Sequence, residues 1–219
     1  MNDLEPQAVL SWVERFVARI DDRVQELTEL DRRSGDGDFG TNMVTALSRA
    51  KAKLSPSPAD AGAPFSSLST AFLEHSGGTS GPLFGMWFRE FALAGQGSPA
   101  FSTALLADAA RNGVATVRRL GSASVGDRTM VDAMAPAADA LAEAAENGTP
   151  AVRALRLAAE AARAGADSTS SITARRGRAS YVGEAALGAP DPGAVAVALF
   201  FESAGRPPDA APTGDRGAQ

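Results

Sequence analysis

Apolar residues recur every three or four positions over most of the chain. Val9, Leu10, Trp12, Val13, Phe16, Val17, Ile20, Val24, Leu27 and Leu30 lie on one stripe and predict a single long first helix. The period resumes after Gly40 through Met43, Val44, Leu47 and Leu54, and Ser55-Pro56-Ser57-Pro58 ends it because proline cannot continue a helix. A third segment carries Phe65, Leu68, Phe72 and Leu73 and stops at Ser76-Gly77-Gly78. A fourth, aromatic segment opens at Pro82 and runs through Phe84, Trp87, Phe88 and Phe91 to Gly95.

Ser98 and Pro99 read as the cap and first turn of a fifth helix reaching Leu120, with Leu105, Leu106, Val114 and Val117 on its buried side. Residues 121–126 form a loop, Asp127 or Arg128 opens a sixth helix, and Asn147-Gly148 closes it. Thr149-Pro150 caps an alanine-rich seventh helix running to about Ile172. A polar loop, 173–190, precedes a last apolar helix from Ala194 to Ala204, capped by Asp191-Pro192-Gly193. No stretch alternates in the manner of a strand. The pattern therefore predicts an all-α domain over residues 1–205, about eight antiparallel helices round a common core, and a disordered tail over 206–219.

Composition narrows the partners. A chain of 219 residues, 44% hydrophobic, can bury one substantial core. A net charge of -5 argues against nucleic acid or an anionic membrane as the main partner, since both call for a basic footprint. Disulfides and thiolate metal sites are excluded by the lack of cysteine. No apolar run is long enough to span a bilayer and the first residues lack the order of a signal peptide, so a cytoplasmic location is expected.

Candidate chemistry starts in the turn Asp31-Arg32-Arg33-Ser34-Gly35-Asp36-Gly37-Asp38. Carboxylates crowded on one turn repel, and a divalent cation relieves that repulsion; oxygen ligands without Cys or His favour Mg²⁺ or Ca²⁺. The residues that follow do not supply an EF-hand's closing acid, so magnesium is preferred, with a phosphate-binding loop expected elsewhere. The same composition also suits an ordinary Asp-Gly turn. Ser76-Gly77-Gly78-Thr79-Ser80-Gly81-Pro82, just ahead of the aromatic helix, is the candidate anion cradle, or else a plain interhelical loop. Because Lys51 and Lys53 are the only lysines, it is not a Walker A loop. Two further segments, Gly126-Asp127-Arg128-Thr129-Met130-Val131-Asp132 and Gly177-Arg178-Ala179-Ser180-Tyr181 with Asp191-Pro192-Gly193, also fall at helix ends.

In this order and at these separations, the four segments resemble the nucleotide-binding L subunit (DhaL) family of dihydroxyacetone kinases. That family's pattern runs Gly-Asp-Gly-Asp-His-Gly-x-Asn-Met, Gly-Gly-(Ala/Ser)-Ser-Gly-Pro-Leu, Gly-Asp-Lys-Thr-Met-x-Asp, then Gly-Arg-Ala-Ser-Tyr and Asp-Pro-Gly. The resemblance implies a closed barrel of eight antiparallel helices with ADP or ATP at one end. By motif, Asp31, Asp36 and Asp38 would hold two Mg²⁺ ions; Phe39, Gly40, Thr41 and Asn42 would lie against the nucleotide; and Gly78, Thr79, Ser80 and Gly81 would bind its phosphates. Gly121, Thr129 and Met130 would flank the adenine, with Arg178, Asp191, Pro192 and Gly193 closing the far side.

Two positions depart from the family pattern: Phe39 stands where the family has His, and Arg128 where it has Lys. The single histidine, His75, matches no catalytic position. The resemblance implies that a separate K subunit holds a short-chain ketose covalently, and that the phosphate comes either from free ATP or from a phosphohistidine protein of a phosphotransferase system that recharges bound ADP. Two other readings are a fatty-acid-kinase nucleotide domain and a non-catalytic nucleotide-binding regulator of a transcription factor.

Overall fold

The computed structural model describes residues 3–176 and 187–204. Nine α-helices occur among them: α1 (Pro6–Asp22), α2 (Val24–Arg32), α3 (Phe39–Lys53), α4 (Ala63–His75), α5 (Ser80–Gly95), α6 (Thr103–Gly121), α7 (Val131–Glu146), α8 (Ala151–Ser168) and α9 (Pro192–Ala204). A single 3₁₀ turn, Thr169–Ser171, follows α8. The all-α expectation holds, and the described residues contain no strand beyond one isolated bridge between Leu4 and Phe101. The expected tail, 206–219, lies outside the described residues, as does most of the loop around Arg178.

From α3 to α9 each helix packs on the next, and α1 closes the ring by lying against both α9 and α3. From α3 to α8 the connecting loops are short, which makes those neighbours antiparallel. The core is aromatic. Phe200 of α9 sits at its centre, with ring centroids 4.5 Å from Trp12, 4.9 Å from Trp87, 5.5 Å from Phe88 and 5.6 Å from Phe91. Helix α9 is apolar all round, as a helix buried on every face must be, and Glu202 is its one residue that is not buried. The Trp12 indole N–H donates to the Phe200 carbonyl at 2.7 Å, which fixes α1 along it.

Three boundaries differ from the sequence expectation. The first predicted helix is two, broken at Arg23 (φ -110°, ψ 10°), whose N–H turns back to Asp21 and Ile20 carbonyls. The stripe survives a one-residue break, so periodicity alone could not show it. The fifth helix starts at Thr103, not near Ser98, because Phe101 is tied in extended backbone to Leu4 by reciprocal hydrogen bonds of 2.8 and 2.9 Å; Ser102 then caps the helix, accepting from the Leu105 N–H. The sixth starts at Val131, because Arg128 adopts φ +62°, which no right-handed helix contains.

The two ends of the ring differ. At one end the Asp60 carboxylate accepts from the N–H groups of Gly62, Ala63 and Gly97, the Ala61 N–H donates to Ser98, and the Thr103 hydroxyl donates to the Thr149 carbonyl at 2.6 Å. That end is laced shut. The other end holds the turns named above.

Across the ring wall, Glu202 accepts from Arg19 of α1 at 2.7 Å and from Arg163 of α8 at 2.8 Å. All three side chains are about one-third exposed or less, so the gain is larger than for a fully solvated pair. Glu202→Ala is expected to lower stability in urea by roughly 1–2 kcal/mol, since Arg19 loses its carboxylate and Arg163 keeps only the longer contact to Asp167, at 4.0 Å.

Candidate functional site

Four chain turns converge at the open end: α2–α3, α4–α5, α6–α7 and the approach to α9. They surround a cavity of about 690 Å³, a size typical of small-molecule sites. Part of the lining is apolar, from Phe39, Met43, Leu83, Phe84, Val117, Leu120 and Met130; the rest includes residues 76–81 and the polar side chains of Asp31, Asn42, Arg128 and Asp191.

In the first turn Gly37 takes φ +81°, which lets the chain reverse, and Asp31 Oδ2 accepts the Phe39 N–H at 3.0 Å. Asp31 thereby caps α3, whose N-cap residue Asp38 makes no side-chain capping bond. Asp31 and Ser34 line the cavity; Asp36 and Asp38 are exposed on the same turn, away from the wall. Among the described residues no three His, Cys, Asp or Glu side chains are gathered as a metal-holding group. Phe39 and Asn42 line the cavity, whereas Gly40 and Thr41 do not. Gly40 packs α3 onto α2, where an added Cβ would lie 2.6 Å from the Val24 carbonyl, and Thr41 is exposed. Phe39 is 8% exposed, and its ring lies 6.3 Å from that of Phe84, tilted by 55°.

Gly78, Thr79, Ser80 and Gly81 all line the cavity. Gly78 has φ +72° with nothing within 4 Å of the place a Cβ would take, so a ligand can reach its backbone. Thr79 is the N-cap of α5 without a side-chain capping bond, which leaves the first N–H groups of that helix for an anion. Asn42 touches this loop: a Cβ on Gly77 would lie 3.3 Å from its Oδ1.

The α6–α7 turn is ordered by buried charges. Asp132 accepts from the Gly126 N–H and, at 2.7 Å, from the Thr129 N–H, while Asp127 accepts from the Ser124 N–H at 2.8 Å. This sets Thr129 and Met130 in the cavity wall, with Gly121 beside Leu83. At the start of α9, Asp191 Oδ2 accepts from Ala194 at 2.8 Å, and the Asp191 N–H donates to Thr169 Oγ1 at 2.8 Å. Gly193 packs on Met130, where a Cβ would lie 3.4 Å from the Met130 Cβ. Burial pushes the Asp191 carboxyl up to about 6; the Ala194 N–H and Arg128 oppose this, and the charges of Asp132 and Asp31 add to it. The Arg128 guanidinium is in turn held below its ordinary value by burial, against the pull of Asp191.

Thus Asp31, Phe39, Asn42, Gly78 to Gly81, Gly121, Thr129, Met130 and Asp191 to Gly193 meet at one cavity, and Arg178 lies outside the described residues. Sequence reasoning missed Leu83, Val117 and Leu120 as cavity-lining residues, because at helical spacing they read as ordinary core or helix-end positions. It also missed Thr169, whose hydroxyl gave no sign of being buried. No helix among the described residues is long and apolar enough to cross a membrane.

Residues 33–206 match the DAK2 domain model. The chain is 36% identical over 196 residues to the PEP-dependent dihydroxyacetone kinase, ADP-binding subunit DhaL, of Escherichia coli strain K12, covering 89% of this chain and 93% of that one. It is 37% identical over 184 residues to triokinase/FMN cyclase of Rattus norvegicus, covering 82% of this chain but 31% of the relative. L-erythrulose 1-kinase of Mycolicibacterium smegmatis is 37% identical over 201 residues, with 35% of its length covered. Against these two longer kinases the chain spans about a third of the relative. The crystal structure of the dihydroxyacetone kinase from C. freundii in complex with AMP-PNP and Mg²⁺ superposes with a TM-score of 0.69 at 28% identity, over 90% of this chain and 33% of that one. Since the likeness to the bacterial subunit covers 89% of this chain and 93% of that one, the chain belongs to the DAK2 domain family and, within it, to the DhaL type.

Proposed function

We propose that the cavity binds ADP or ATP together with Mg²⁺, and that the chain is the nucleotide-carrying half of a phosphotransferase acting on dihydroxyacetone or a related short-chain ketose held covalently by a separate K subunit. One observation carries this reading: the uncapped start of α5 and the Asp31 carboxylate face a single cavity whose third side is apolar. Those are the three demands of a nucleotide, for anion, cation and base. The likeness to an ADP-binding subunit and to a kinase solved with AMP-PNP and Mg²⁺ supports it.

In this reading the backbone of residues 78–81, with the Thr79 and Ser80 hydroxyls, takes the phosphates. Met130, Gly121, Leu83 and Leu120 bracket the base, and the Asp191–Gly193 turn bounds the far side; Arg178, assigned there by motif, lies outside the described residues. Asp31, in the cavity lining, would be the first Mg²⁺ ligand; Asp36 and Asp38, exposed and not gathered with it here, would have to turn in to share two ions, and the metal would supply charge neutralisation for phosphoryl transfer. The protein's own part is positioning, because such transfers ask little covalent chemistry of it.

Calorimetry of ADP with and without Mg²⁺ tests the proposal. Affinity is expected to depend on the metal, and Asp36→Ala is expected to remove most of that dependence; metal-independent binding in the parent protein would remove the magnesium assignment. Nucleotide release separates the donors. ADP that survives dialysis fits recharging by a phosphohistidine protein, whereas rapid exchange fits free ATP.

A second reading rests on Phe39. The side chain is buried and apolar in the turn that carries the acids, so it adds no proton-transferring group there. Nucleotide binding without phosphoryl transfer, in the presence of a K subunit and dihydroxyacetone, would favour a signalling role; measurable transfer would exclude it.

A further inference from the structure

The most deeply buried charged side chain among the described residues is Arg128, 1% exposed. Its Nε donates to the Thr169 carbonyl at 3.2 Å and its Nη2 to the Ala189 carbonyl at 2.9 Å. These carbonyls belong to different segments, one ending the α8 side and the other leading into α9. The backbone beneath it is unusual too. Arg128 adopts φ +62°, which an L residue keeps only when the surroundings enforce it.

Arg128 is itself part of the cavity lining, and its network reaches the rest of that lining by two routes. Thr169, held through its carbonyl by Arg128, presents its hydroxyl oxygen to the Asp191 N–H at 2.8 Å. Met130, two residues along from Arg128, packs against Gly193. The neighbouring Asp127 carbonyl accepts the Arg175 N–H at 3.1 Å, so the same turn also grips the chain leaving α8. A charged fork thus ties together three backbone segments at the far side of the cavity.

We propose that Arg128 is a positioning residue for the nucleotide: its guanidinium sets the spacing between the Met130 wall and the Asp191–Gly193 turn, and only a planar fork can hold both carbonyls at once. The inference rests on the cavity being a nucleotide site. Lysine keeps the charge but offers one compact donor group, which cannot reproduce two bonds leaving from different nitrogens of a rigid plane. Arginine here therefore adds a geometric constraint where the family pattern places lysine.

The test compares the parent protein with Arg128→Lys and Arg128→Ala, by calorimetry of Mg-ADP and by amide hydrogen exchange over residues 187–195. Arg128→Lys is expected to weaken Mg-ADP binding about tenfold or more and to speed exchange in 187–195, with α1 and α5 protected as before. Guanidinium ion at millimolar concentration is expected to restore part of the affinity of Arg128→Ala, and methylammonium is not. Undiminished Mg-ADP binding by Arg128→Lys overturns the inference. So does weakened binding with unchanged exchange, which would mean direct contact with the nucleotide, and so does faster exchange with unchanged binding, which would make the fork a scaffold alone. A lysine variant globally unfolded by circular dichroism at low temperature would likewise reduce the contact to a structural one and overturn it. If the parent protein itself fails to bind Mg-ADP, the nucleotide reading falls and takes this inference with it.

Discussion

Asp31→Asn is expected to lower Mg²⁺-dependent ADP affinity by about 100-fold or more while leaving the fold intact. The asparagine carbonyl can still accept the Phe39 N–H that Asp31 Oδ2 takes at 3.0 Å, so the start of α3 keeps its cap. Only the charge is removed. Among the three acids of the turn, Asp31 is the one in the cavity wall, and its loss should therefore exceed that of Asp36→Ala or Asp38→Ala. Calorimetry at fixed Mg²⁺ checks the order of the three variants. An Asp31→Asn protein that binds ADP as the parent does, with the same response to metal, would remove Asp31 from the site.

Gly165→Ala is expected to destabilise the protein by roughly 2–3 kcal/mol in urea, although alanine is ordinarily the better helix former by about 1 kcal/mol. Helix α8 passes the first turn of α7 at this point. Pro136, inside α7, has no N–H to give the Asp132 carbonyl, and Gly165 lies directly against that carbonyl. An added Cβ would overlap the Asp132 oxygen and sit 2.9 Å from the Pro136 ring and 3.1 Å from the Ala133 Cα. None of these is the movable tip of a side chain. Since the Asp132 carboxylate orders the α6–α7 turn, ADP affinity should fall along with stability. A neutral or stabilising result would mean that α7 and α8 separate more easily than their contact suggests.

The sequence showed its helices through spacing, and it showed them well where one face is apolar, as in α1, α6 and α8. Breaks that preserve the stripe were invisible. Arg23 interrupts the first helix between Ile20 and Val24 without disturbing the period, and the bridge between Leu4 and Phe101 depends on partners 97 residues apart in the chain, which no local pattern encodes. The cavity was legible where glycines, acids and helix caps coincide. It was not legible where the ingredient is packing: Gly40 looked like a ligand contact and is a helix-crossing point, and Arg128 looked like the opening of a helix and is a buried side chain on left-handed backbone. Composition cannot separate these cases, because the deciding quantity is what stands opposite each side chain.

The laced-shut end of the ring has a consequence for attachment. Helix α9 leaves the cavity at Pro192 and runs about 20 Å to Ala204, and Leu4 is pinned to Phe101 at the foot of α6, about 28 Å from the cavity-lining Gly121. Both ends of the described domain therefore leave from the back. An affinity handle or a whole fused protein joined at either point would hang behind the molecule and leave the mouth clear.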